Sequence, residues 1–133
     1  MVEMHGWINI RDTYEATDED NTPAIVDDIN RKIKELGYTD LVAKWMNGES
    51  CFQFSLYTNH WGEQNQDMLD IYYYVSEKAK GSYGLLYVHD DEDKTDYNNF
   101  VVYKLTRGKV ARVVDNLLSP CIPTVEDGIC FFD

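Results

Sequence analysis

Five carboxylates, Asp90, Asp91, Glu92, Asp93 and Asp96, crowd seven consecutive positions, with His89 before them and Lys94 among them. Side chains at that density can ligate a hard cation, form an acid/base pair, or offer negative charge to a basic partner. The cation reading fails on register. With Asp91 as the first ligand of an EF-hand loop, the sixth place should be Gly and the twelfth Glu, but the chain has Asp96 and Val102 there. For zinc, the candidates His5, His60, His89, Cys51, Cys121 and Cys130 show no Cys-x-x-Cys or His-x-x-x-His spacing that would put two ligands on one turn. A Cys/His pair or Ser119 lacks the surroundings of an activated nucleophile, and Gly81 and Gly84 are too isolated to cradle phosphate. No catalytic residue, cofactor site or metal site is therefore expected. A small hydrolase or transferase using a His/Cys or carboxylate site is the alternative, with a Ca²⁺-responsive binding module behind it.

Charge favours the third reading. Twelve Lys and Arg stand against twenty-four Asp and Glu, a net charge of -12, so nucleic-acid phosphate and anionic lipid are both repelled and a basic protein is attracted. The acid is clustered in residues 12–20, in residues 90–96 and at Glu126 and Asp127, whereas Lys104, Arg107, Lys109 and Arg112 gather near the end of the chain. Trp61, in the polar run NHWGEQNQ, is either a lid on a helix end or an exposed anchor of the kind that dominates interface energy. The candidate partner-binding residues are thus Asp90, Asp91, Glu92, Asp93, Asp96, Trp61, Glu126 and Asp127. They work together only if the acidic loops meet at one end of the fold; otherwise each is a solvated loop that serves solubility.

The elements that must position these residues follow from periodicity. Met4, Gly6, Ile8 and Ile10 alternate with His5, Trp7, Asn9 and Arg11, which predicts a strand over residues 5–11 with one buried face and with His5 as a hydrogen-bonded imidazole. After the acidic loop, Thr22 can cap a helix with Pro23 at its first helical position. Ile25, Ile29, Ile33 and Leu36 supply its stripe, Asp28/Lys32 and Arg31/Glu35 its surface pairs, and Gly37 its end. Asn47-Gly48 marks a tight hairpin, with Ala43 opposite Phe52 for a two-residue loop or Trp45 opposite Phe52 for a four-residue one.

A second helix is expected from about residue 65 to Gly81, burying Met68, Ile71, Tyr72, Val75 and Ala79; of Tyr72, Tyr73 and Tyr74, at least one must face outward at 100° per residue. SYGLLYVH, NFVVYKLT and KVARVVDN complete the strands, the last two joined at Arg107-Gly108. The resulting order βαββαβββ predicts a single α+β domain over residues 1–133. It should have a ferredoxin-like βαββαβ core, an extra C-terminal β-hairpin, and a mainly antiparallel sheet with two helices on one face. The tail should run extended, held by Leu118, Ile122, Phe131 and Phe132. The opening MVEMHGWINI lacks a basic segment before its apolar residues, and three widely spaced cysteines suggest thiols in a reducing compartment, so a cytoplasmic location is expected.

Four phrases, MHGWINIR, YGLLYVHDDED, VVYKLTRGKV and above all DNLLSPCIPTVEDG, resemble the immunity protein 7 family of bacterial polymorphic toxin systems, over almost the whole chain. The resemblance implies a small cytoplasmic α+β antitoxin that binds a cognate toxin domain stoichiometrically and blocks its active site or substrate path. It carries over no toxin-contacting residues and leaves the oligomeric state open. A nuclease, whose phosphate-binding surface needs positive charge, suits so acidic an inhibitor.

Overall fold

The computed structural model describes residues 1–15 and 20–128; Asp18, Glu19, Cys130, Phe131 and Phe132 lie outside the described residues. One antiparallel sheet is built from β1 (Val2–Ile10), β2 (Lys44–Met46), β3 (Glu49–Thr58), β4 (Tyr83–Asp90), β5 (Val101–Thr106) and β6 (Lys109–Val114). Two helices, α1 (Thr22–Glu35) and α2 (Glu63–Lys78), and a single turn, α3 (Cys121–Thr124), complete it. The strand order is β2-β3-β1-β4-β5-β6, so the crossover through α1 leads from β1 to β2 past β3, and that through α2 leads from β3 to β4 past β1. The mixed α+β architecture and the final hairpin agree with the periodicity of the sequence.

Alternation along β1 decides which face is covered. Val2, Met4, Gly6, Ile8 and Ile10 are buried, and Val88 opposite Met4, Phe54 and Leu86 opposite Gly6, and Phe52 opposite Ile8 are buried with them, because paired residues share a face. From α1, Val26, Ile29 and Ile33 meet this surface; from α2, Met68, Ile71, Tyr72 and Val75 do. Each such side chain contributes roughly 1.5–3 kcal/mol by leaving water. Tyr72 fixes the seat of α2. Its hydroxyl donates to the carbonyls of Leu85 (2.8 Å) and Trp7 (3.3 Å), and burial pushes its phenol far above the ordinary value. A Cβ on Gly6 would overlap that hydroxyl and the Phe54 ring, so β1 needs glycine where α2 crosses it. Of the other two tyrosines, Tyr73 faces outward and Tyr74 donates to Asp28.

Several expectations are corrected in detail. β1 starts three residues early, at Val2, because Val2 and Met4 extend the buried row. Thr22 is not the cap of α1: its hydroxyl accepts the Asp12 N–H, while the Asp20 carboxylate accepts the Thr22 N–H. Asp28 pairs with Arg31 and Tyr74 rather than Lys32, whose ammonium lies over the Tyr74 ring; Arg31 reaches Glu35 at 3.9 Å. The hairpin takes the two-residue loop, with Asn47 and Gly48 both at positive φ and Met46 opposite Glu49; β2 begins at Lys44, so Ala43 lies just before the ladder. α2 begins at Glu63, two residues early, since Asn65 is buried in its first turn and accepts the Gly62 N–H. The tail is not uniformly extended: Cys121 is its buried side chain, whereas Leu118 and Ile122 are exposed.

Candidate acidic binding end

β1 separates the acidic segments instead of gathering them. Asp12 and Asp20 follow its Ile10 end, beside Trp45 and Glu49, whereas Asp90 pairs with Val2 at the other end. Eight residue steps of strand, about 27 Å, lie between. Asp12, Glu15 and Asp20 also share their end with the basic turn at Arg107, whose guanidinium lies 4.5 Å from the Tyr14 ring centroid. The three acidic clusters do not meet. Two of them do.

At the Val2 end, residues 90–96 form a short ordered loop stitched by its own carboxylates. Asp90 accepts the Glu92 N–H, and Asp93 accepts the N–H groups of Thr95 and Asp96. Those two backbone donors, then the Arg112 charge, hold the Asp93 carboxyl below its usual range. Asp91 takes the N-terminal ammonium at 2.7 Å, which raises the pKa of that amine. Glu92 lies 2.5 Å from His60 Nδ1 and so ties the loop to the segment before α2. Asp96 departs from the expected exposed loop: it is only 7% exposed, receives Arg112 at 2.9 Å and faces inward. It holds the loop to β6, while Asp91 and Glu92 remain open to solvent.

Trp61 stands beside the acidic loop. Asn65 Oδ1 anchors its segment through Gly62 N–H (2.9 Å) and the Thr58 hydroxyl (3.1 Å), and the indole borders a cavity of about 170 Å³ shared with Asp90, Asp93, Asp96, Tyr103 and Arg112. On the other side of the loop, Glu126 lines a hollow with Met1, Glu3, His89 and Asp91. Asp127 is exposed one residue further on. The structure thus gathers Trp61, the loop carboxylates and Glu126 at one end, with Asp96 as the inner member.

The run LSPCIPT, distinctive but without evident chemistry, proves to be the buttress of this end. Asp115 accepts the N–H groups of Leu118 and Leu117 and the Ser119 hydroxyl; burial pushes its carboxyl up, these donors outweigh that, and the net shift is downward. Ser119 Oγ accepts the Phe100 N–H, Asn98 O accepts the Cys121 N–H at 2.7 Å, and Asn98 also bonds both polar backbone groups of Ile122. Sequence reasoning missed this clamp because its polar groups pair with backbone atoms far along the chain, which leaves no periodic signal.

Among the described residues, the arrangement offers little for nucleophilic chemistry. Burial pushes the Cys121 thiol up, away from the thiolate, and Cys51 is half-buried on β3. His5 is hydrogen-bonded as expected, to Ser55 through Nδ1 and to Glu3 through Nε2. Among the described residues, no group of three or more His, Cys, Asp and Glu side chains converges to hold a metal ion, and no helix is long and apolar enough to cross a membrane.

Fold and site together define an α+β protein with one acidic, hydrogen-bonded end. The family model described as Immunity protein 7 matches residues 1–127, and the chain belongs to that family. Membership makes it an immunity protein, whose partner is a toxin, and suggests a non-enzymatic role. No curated protein and no solved structure matches the chain.

Proposed function

We propose that this immunity protein acts in the cytoplasm and neutralises its cognate toxin by seating a basic toxin surface on the acidic end of the sheet. The observation that carries the reading is the meeting of Trp61 with Asp90, Asp91, Glu92 and Asp93 on one side and Glu126 on the other. Trp61 supplies an aromatic anchor of the type that carries binding energy, and the carboxylates supply attraction at a distance. A nuclease is the toxin class that fits best, because a surface that binds phosphate is already cationic and an anionic protein lying on it excludes the substrate. Stoichiometric blocking follows, with no turnover required.

Hydrogen exchange on the complex with the cognate toxin tests the assignment. Protection should appear in residues 60–62 and 90–97 and be absent from the Arg107-Gly108 turn at the opposite end. Protection confined to that opposite end contradicts the proposal. In cells, Asp91→Asn combined with Glu92→Gln and Trp61→Ala should lose protection against the toxin while the purified variant keeps its thermal transition.

A further inference from the structure

α1 and α2 leave one face of the sheet uncovered, and the α3 turn reaches only its Val2 end, where Cys121 and Ile122 line a hollow with Glu3 and His89. Trp7, Tyr57, Tyr83, Leu85, Tyr87 and Val113 stand on it, because their ladder partners place them opposite the buried row of β1. Trp7 is 39% exposed, Tyr57 59% and Val113 50%, so the aromatic surface is open to water. Its rings are held before any partner arrives: Trp7 meets Tyr83 edge-on at 6.0 Å, and His5 meets Tyr57 edge-on at 5.6 Å. Rings already fixed lose little further freedom on binding.

We propose that two copies of this chain pair face to face through this open side of the sheet. Charge selects the occupant. On a chain of net charge -12, this face carries Glu3 and Glu49, with Glu126 beside Glu3 at its edge, against Lys44, Lys104 and Lys109, so the two signs are balanced here and the carboxylate excess lies elsewhere. A basic partner is drawn to the acidic end, not here. Two copies meeting on any acidic side would press carboxylates together, whereas here the opposite charges can pair across a twofold axis. Size agrees as well. Six strands span roughly 24 Å, and about 20 Å of strand length gives on the order of 500 Å² in projection, the scale of one half of a standard interface. Two sheets stacked about 10 Å apart would interleave their side chains as in a β-sandwich.

Sedimentation equilibrium of the full chain, without toxin, tests the pairing. Between about 5 and 200 µM the mass should approach twice the 15.5 kDa of one chain, a range that detects micromolar association. Added salt should tighten the dimer by screening repulsion between the two anionic bodies. Trp7→Glu should weaken association at least tenfold, and Tyr73→Glu, on the outward side of α2, should leave it unchanged. If Trp7→Glu fails to fold by circular dichroism, Tyr57→Glu serves in its place with the same expectation. A chain that keeps its single mass throughout, a folded face variant that pairs as tightly as the wild type, or a dimer broken only by Tyr73→Glu overturns the proposal.

Discussion

Asp96 and Arg112 show how a charged residue can belong to the acidic end without facing solvent. Asp96 is inside, with Arg112 and Asn99 as side-chain partners, so its carboxylate draws the acidic loop onto β6. Arg112→Met should therefore leave a buried carboxylate short of a partner, at a cost of about 1–3 kcal/mol in chemical denaturation. Asp93 and Asp115 make an acid-side prediction. Both carboxyls are held below their ordinary values in the folded chain, so their contribution to stability is complete above the unfolded pKa of about 3.9 and is lost as pH falls through the lowered folded values. Stability should be level near neutrality and decline below about pH 4, with Asp93→Asn removing part of that decline. Charge density alone marked residues 90–96 in the sequence. Which carboxylates turn inward was not legible, because it depends on Arg112 arriving from a strand whose docking no local pattern encodes.

At the scale of elements, the stripes of α1 and α2 and the two positive-φ turns, Asn47-Gly48 and Arg107-Gly108, were readable because each follows from a local period or backbone rule. The contact that seats α2 on the sheet was not. It rests on Gly6, which looked like any small residue in an alternating strand until Tyr72 crossed above it. Gly6→Ala should force the Tyr72 hydroxyl off its two carbonyls and destabilise the fold by about 1–3 kcal/mol, an overpacking cost visible as a lowered denaturation midpoint. Tyr72→Phe should cost about 1 kcal/mol, the ordinary worth of the lost hydrogen bond. The tail lay beyond periodic reasoning for another reason. Its clamp on residues 98–100 is made by single hydrogen bonds between segments about twenty residues apart.

Across the whole molecule, the arrangement divides labour between surfaces. The helices and one sheet face make the core; the Val2 end collects Trp61 and the loop carboxylates; the Ile10 end mixes acid with the Arg107 turn; and the remaining sheet face is aromatic and nearly neutral. Net charge was legible from composition, but its partition between two ends required the direction of β1. The most direct test of binding through the acidic end is the association rate with the cognate toxin, measured by stopped flow against ionic strength. The rate should fall steeply as salt rises, and Asp91→Asn with Glu92→Gln should lower it at low salt while leaving dissociation nearly unchanged. A rate indifferent to salt, or equal for the wild type and the neutralised variant, would contradict the account.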